Sequence, residues 1–170
     1  MPIPQYVSHL GSIFKDWVGN ITKPKGATNV SDKQNYQHPF STRQGLRLMS
    51  LRHGYAEAQQ TTKSDGTQNN NREFVHAAIP NSALISTMAA VADTGITEKE
   101  KKDSLVFARN LTQSFDKVIF PGDELEVTSK LDHKNKNHQY IIAEIKRGAE
   151  VVGRAIADFA TLPKARLGLS

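Results

Sequence analysis

Apolar residues recur along this chain with two different periods, and the change of period separates helical from extended segments. Near the start they fall three or four residues apart, which predicts an amphipathic helix over residues 5–18. Its apolar stripe consists of Tyr6, Val7, Leu10, Ile13, Phe14, Trp17 and Val18. Residues 19–39 carry Gly, Pro, Asn and Asp without any period and predict a linker or loop.

The middle of the chain combines a strand pair with one long apolar segment. Alternating side chains over residues 46–60, interrupted at Gly54, predict two strands joined by a turn. After a polar loop over residues 64–71 comes "HAAIPNSALISTMAAVAD", residues 76–93, the most apolar long stretch of the sequence. We expect a helix there that begins near Pro80 with Asn81 or Ser82 as its cap, and that ends at Gly95.

The second half is extended. "TEKEKKD", residues 97–103, reads as a solvated charged connection. Four segments rich in alternating or β-favouring residues follow and predict a meander of about four strands, with a hairpin turn at Arg147-Gly148. One apolar helix beside an antiparallel sheet indicates an α+β fold in which the helix lies on the concave face of the sheet.

Composition narrows the possible chemistry. A chain of 170 residues suits one domain, and the absence of cysteine excludes disulfides, thiolate metal sites and cysteine nucleophiles. The formal net charge of +5 serves solubility or attracts an anionic ligand such as a nucleotide, a phosphate-bearing cofactor or an acidic carrier protein. The basic residues are scattered without an aromatic–basic platform, so we expect no nucleic-acid partner.

Membrane and export signals are not predicted. No apolar run approaches the roughly 18 residues of a membrane span, and the first residues lack the pattern of a secretory signal. We therefore expect no membrane span and a cytoplasmic, soluble protein.

The order of several short motifs resembles the hot-dog superfamily, the fold of many acyl-CoA and acyl-carrier-protein thioesterases and hydroxyacyl dehydratases. Residues 110–162 are similar to the thioesterase segment in which a strand ending in "V.PGD.L" leads into a meander that ends in "G..V..A...F..L". Residues 38–60 resemble the opening strands of the family, and "ISTMAAVADTG", residues 85–95, resembles the end of its central helix. The turn at Pro121-Gly122-Asp123 is shared across the superfamily.

The resemblance implies a hot-dog fold, an antiparallel sheet wrapped around one central helix, over residues 38–163. Residues 1–37 would add an N-terminal helix and linker, and residues 164–170 a tail. It also implies a homodimer or a higher homo-oligomer with the ligand at the subunit interface. The substrate would be an acyl-CoA or acyl-carrier-protein thioester of fatty acid metabolism, with coenzyme A present only as part of that substrate.

Small thioesterases of this kind carry a His-Gly-Gly turn before the helix and an Asp or Glu nine residues after that His. Asp93 matches the acid by its context, "AAVADTG", but nine residues before it stands Leu84, and the His-Gly-Gly is absent. We expect Asp93 to activate water and the helix start near Asn81 to polarise the carbonyl through unpaired N–H groups. The structural alternatives are a solvated helix-end carboxylate, or one paired with an Arg, for Asp93 and a plain N-cap for Asn81.

The dehydratase branch gives a second alignment, in which Ile79-Pro80-Asn81 matches a Met-Pro-Gly turn. The acid of that branch then falls on Ser86, and a serine cannot replace a carboxylate as general acid or base. Three functions therefore stay open: a thioesterase, a non-catalytic acyl-thioester-binding or regulatory protein, and a 3-hydroxyacyl dehydratase.

Further candidates for substrate contacts are polar residues in and beside the long helix, namely His76, Ser82, Ser86 and Arg109. Arg109 or Arg147 would meet the phosphates of coenzyme A. For His76 the competing interpretation is a hydrogen-bonded structural histidine. We expect no metal site, because the cations of "KNKN" between His133 and His138 would repel one.

Overall fold

A computed structural model describes residues 43–63, 69–70 and 73–168. The predicted helix over residues 5–18 and the linker over 19–39 lie outside this part of the chain. The described elements are β1 (Leu46–Arg52), β2 (Tyr55–Thr61), β3 (Asn69–Asn70), β4 (Phe74–Val75), α1 (Ala78–Thr94), α2 (Glu98–Asp103), β5 (Ser104–Phe115), β6 (Glu124–Asn135), β7 (His138–Arg147), β8 (Glu150–Pro163) and a 3₁₀ turn (Lys164–Leu167).

Six strands form one antiparallel sheet in the order β1-β2-β6-β7-β8-β5, and β3 and β4 form a separate short ribbon. The strand pair with its turn at Gly54 and the hairpin at Arg147-Gly148 are as predicted. The predicted four-strand meander is wrong in one respect, because β5 pairs with β8 and not with β6. Because α1 carries the chain across the sheet before β5 begins, β5 forms the edge of the sheet opposite β1.

The core lies between α1 and one face of the sheet, which confirms the α+β architecture. Leu84, Met88 and Val91 of α1 are completely buried. They pack in one cluster with inward side chains of the sheet, among them Ala58, Val127, Ile141, Ala143 and Ile145. No helix of the described residues is long and apolar enough to cross a bilayer.

Hydroxyl groups within this apolar contact are satisfied. Thr87 lies on the buried face of α1 and donates to the carbonyl of Ala83 at 2.9 Å, while Ser129 of β6 donates to the Thr87 hydroxyl at 2.8 Å. Each donor thereby avoids the penalty of an unpaired buried polar group. The pair fixes the position of α1 along the sheet.

The start of α1 differs from the prediction. The helix begins at Ala78 with Ala77 as its N-cap, so Pro80, Asn81 and Ser82 lie inside the first turns. The residue that closes the start is His76, whose Nδ1 accepts from the Ala78 N–H at 3.1 Å and whose carbonyl accepts from the Ile79 N–H at 2.9 Å. A ring nitrogen therefore takes the part for which an Asn or Ser side chain was expected.

The charged connection over residues 97–103 is partly helical. Thr97 and Glu100 form a capping box, in which the Thr97 hydroxyl accepts from the Glu100 N–H at 3.2 Å and the Thr97 N–H donates to the Glu100 carboxylate at 2.7 Å. These hydrogen bonds to Thr97 lower the pKa of Glu100. The box starts α2 and directs Lys101 toward the end of α1.

Candidate functional site

One face of α1 is left open by the sheet. The exposed or half-buried residues on it recur every three or four positions, as the helical period requires: Ala78, Ser82, Ile85, Ala89 and Asp93. This face runs beside β5, and the space between them is here called the α1–β5 groove.

The groove consists of two clefts that share Phe159 of β8 as a wall. The first, of about 280 Å³, is lined by Ile85, Met88, Ala108, Arg109, Asn110, Leu111, Ala157 and Phe159. The second, of about 250 Å³, is lined by Ala89, Asp93, Ile96, Lys101, Ser104, Leu105, Val106 and Phe159. The first cleft is thus apolar apart from its mouth, whereas the second holds an acid and a base.

Asp93 faces the second cleft. Its carboxylate lies 3.0 Å from the ammonium of Lys101, and the two side chains are 35% and 25% exposed. Lys101 also contacts Glu98, at 2.8 Å, so α2 holds the ammonium between two carboxylates. Asp93 is therefore an ion-paired, partly exposed carboxylate that lines a cleft, and the cation of this ion pair is Lys101 and not an Arg.

Asn81 lies at the opposite end of α1 and is half-buried. Asp93 follows it by twelve positions, which correspond to about 18 Å at 1.5 Å per residue, so one chain does not bring the two together. The backbone donors expected near Asn81 are already used: the N–H groups of Ala78 and Ile79 bond to His76, and Pro80 has none. The side-chain Oδ1 of Asn81 is buried and bonds to no described residue.

The remaining candidates fall into two groups. His76 and Ser82 make structural hydrogen bonds, His76 at the helix start and Ser82 to the carbonyl of Ile79 and the side chain of Gln44. Ser86 is half-buried on α1, and Arg109 lies at a bulge in β5 on the rim of the first cleft, 62% exposed and 4.0 Å from Asp158. Within the described residues, no three His, Asp or Glu side chains come together as metal ligands.

Two residues of the groove were missed by the sequence reasoning. The contact of Lys101 with Asp93 depends on α2, a helix that the sequence analysis did not predict. The Thr97-x-x-Glu100 spacing is nevertheless a capping-box signature that can be found in the sequence. Ile85 is the other: it lies nine residues after His76, which closes the start of α1, and it is apolar and 38% exposed.

Solved structures match this fold over most of the chain. A conserved protein from Pseudomonas aeruginosa superposes with a TM-score of 0.67 at 17% identity and covers 78% of this chain and 100% of its own. The PaaI protein of the E. coli phenylacetic acid degradation operon gives 0.64 at 17%, covering 74% and 86%. A candidate thioesterase from Ralstonia eutropha JMP134, related to phenylacetic acid degradation, gives 0.63 at 16%, covering 73% and 91%.

The chain has the hot-dog fold. No protein-family model matches the sequence. A search of curated proteins gives no significant match either. The hot-dog fold of this chain therefore rests on the course of its backbone, with the central helix and six-stranded sheet that the sequence motifs predicted.

Proposed function

We propose that this hot-dog protein hydrolyses an acyl thioester in the α1–β5 groove. The observation that carries the proposal is the adjacency of an apolar cleft and a cleft with an accessible carboxylate, Asp93, in a fold shared with proteins described as thioesterases. The acyl chain would occupy the first cleft against Leu111, Ala157 and Phe159. The thioester carbon would lie toward Asp93.

A second copy of the chain would complete the site. The outer edge of β5 faces no strand of the described residues, and its Leu105 and Phe107 are 39% and 40% exposed. A long apolar edge strand is a template for pairing with another chain. We infer a two-fold dimer in which the β5 edges of two subunits pair antiparallel, as the hot-dog resemblance implies.

Such a dimer would bring the two candidate residues together. Asn81 and Asp93 lie six residues on either side of Thr87 in α1. If the two α1 helices run antiparallel with Thr87 near the axis, then Asp93 of one subunit is level with Asn81 of the partner subunit. Because the two residues lie about 18 Å apart within one chain, the proposed site requires the dimer.

The chemical step would use one proton acceptor and one hydrogen-bond donor. The Asp93 carboxylate takes a proton from water while the water oxygen bonds to the thioester carbon, and the carbonyl oxygen becomes an oxyanion. The side-chain amide of the partner's Asn81 donates to this oxyanion, in place of the occupied backbone N–H groups. The C–S bond then breaks, the sulfur takes the proton back from Asp93, and a carboxylic acid and a thiol leave.

A binding protein without turnover is the second candidate. It is favoured by Ile85 at the position nine residues after His76, and by the internal hydrogen bonds that occupy the helix start. In both candidates the carrier would be coenzyme A or an acyl carrier protein, and the exposed guanidinium of Arg109 at the mouth of the first cleft would meet a phosphate of either.

Release of free thiol from acyl-CoAs and acyl carrier proteins of graded chain length tests these alternatives. We expect turnover with a chain-length optimum, because the first cleft has a limited volume of about 280 Å³. Saturable binding in a calorimeter without thiol release would assign the second candidate. Neither binding nor release with any of these thioesters would contradict both.

The β5 interface predicts a change of oligomeric state. Replacing Leu105 and Phe107 together by Lys would put like charges along both facing edges, and we expect the dimer to become a monomer in sedimentation equilibrium. Leu167→Lys is the matched control, since Leu167 is 45% exposed but lies in the C-terminal 3₁₀ turn. A monomeric wild type, or a double variant that stays dimeric, would rule out this interface.

A further inference from the structure

A second apolar surface lies away from the groove, where β4 meets the loop before β6. The Val75 N–H donates to the Ile119 carbonyl at 2.9 Å, and the side chains of both residues are buried. Side chains alternate along extended segments, so their neighbours point the other way. Phe74, Val118 and Phe120 are accordingly 37%, 53% and 50% exposed, and these three residues are called the Phe120 patch.

The Phe120 patch is built on fixed backbone. The Phe120 N–H donates to the Asp123 carboxylate at 2.8 Å, and its carbonyl accepts from the Thr62 hydroxyl at 2.9 Å. Arg147 donates to the Val118 carbonyl at 3.2 Å, and its guanidinium lies 6.0 Å from the centre of the Phe120 ring. Three aromatic or aliphatic side chains are thus presented to solvent by a loop that is held in place, and they form a preformed apolar surface.

The described chain begins next to this patch. The Gly45 carbonyl accepts from the Thr61 N–H at 3.3 Å, and the following residue, Thr62, bonds to the backbone of Phe120 and Asp123. Thr61, the last residue of β2, and Thr62 therefore connect the first described residues to the Phe120 patch.

The sequence that precedes Arg43 contains the predicted apolar stripe. The stripe predicted over residues 5–18 is apolar on one side, and it gains its stability as a helix only by burying that side. Residues 19–42 are long enough to let it fold back, because an extended chain spans about 3.3 Å per residue. A short tether also gives a high effective concentration at the nearest apolar surface.

We propose that the apolar stripe of residues 5–18 docks on the Phe120 patch of its own chain. The polar side of the predicted helix is not basic, which favours a protein surface over an anionic membrane. The entry point beside the patch favours the same chain over a second copy. This docking is independent of thioester chemistry and of the β5 interface.

Trp17 provides a direct test, because it is the one tryptophan of the sequence and belongs to the stripe. The double variant Val118→Ser/Phe120→Ser should shift Trp17 emission to longer wavelength and increase its quenching by acrylamide. Leu167→Ser, which removes an exposed apolar side chain elsewhere, should do neither. Emission and quenching that are equal in the double variant and the control would overturn the proposal.

A second measurement does not depend on altering the patch. The chain has no cysteine, so a short-range quencher can be attached at a single introduced site. A label at Lys117→Cys, beside the patch, should quench Trp17 at all protein concentrations, whereas one at Lys136→Cys should not, because Lys136 follows the far end of β6, whose 12 residues span about 36 Å at 3.3 Å per residue. Quenching that rises with protein concentration, or that needs anionic vesicles, would instead assign a second copy or a membrane and overturn the proposal.

Discussion

The variant Asp93→Asn is expected to lower kcat for acyl-thioester hydrolysis by about 10²–10⁴-fold, the usual contribution of a general base. The amide keeps the size of the carboxylate but cannot take a proton from water. Glu98→Gln is the matched control, because Glu98 contacts the same Lys101 ammonium at 2.8 Å and does not line the groove. Thiol release at saturating substrate is the measurement, and equal rates for the two variants would exclude Asp93 as the base.

Mixing two inactive variants tests whether the site is shared between subunits. Asp93→Asn and Asn81→Ala would each be inactive alone if both residues act on the same thioester. Random reassembly after joint unfolding makes half of the dimers mixed, and each mixed dimer has one intact site of two, so about a quarter of the wild-type activity should return. No recovery, together with confirmed mixed dimers, would place both residues in one chain or remove Asn81 from the mechanism.

Gly95→Ala should destabilise the fold by about 2–5 kcal/mol, the sum of overpacking and of a disturbed buried hydrogen bond. A Cβ at this position would lie 1.8 Å from Oε1 of Gln139. Gln139 is completely buried, and its amide donates to the Ala92 carbonyl at 2.9 Å near the end of α1. Urea unfolding of the wild type and the variant measures the difference.

Gln139→Ala supplies the control for that interpretation. In this background the alanine at position 95 meets no amide, so the cost of Gly95→Ala should fall and the two changes should be strongly non-additive. Additive effects would mean that Gly95 is required for another reason. Its φ of −79° is open to any residue, so backbone conformation is not that reason.

The two ends of α1 show what the sequence could and could not predict. Gly95 was expected to end the helix and does, but Gln139 also approaches it too closely for a side chain, and no local rule connects Gly95 to this residue 44 positions later in the sequence. The start was expected at Pro80 with a polar cap, and it lies at Ala78 because the His76 ring closes the first turn. Local propensity predicted the element but not the side-chain contacts at its ends, which are local at His76 and tertiary at Gln139.

The sheet shows the same division. Alternation predicted its long strands and the hairpin at Arg147-Gly148, since each strand carries its pattern in its own residues. The residues of β5 and of β8 do not by themselves determine that these two strands pair, because several strand orders would bury the same apolar faces. The groove depends on that pairing, since Phe159 and β5 form its walls, and its shape was therefore not predictable from the sequence.

The sequence pointed to a candidate acid but not to the side chains around it. "AAVADTG" led to Asp93 through resemblance, while the partner Lys101 lay in a segment that its charge alone marked as solvated. The position of Ile85 relative to His76 became meaningful only once the first turn of α1 was known. Side chains that meet across a groove come from segments whose approach is a property of the whole fold.

The pairing of β5 with β8 has a consequence for the synthesis of the chain on the ribosome. β5 is synthesised before β6 and β7, yet the strand it bonds to is β8, the last long strand of the described residues. A nascent chain therefore carries β5 as an unpaired apolar segment through the synthesis of about 50 further residues, a period in which such edges are prone to wrong contacts. An ordered β5 edge can exist only after β8 has emerged, so subunits joined through it would assemble only after synthesis has passed Pro163.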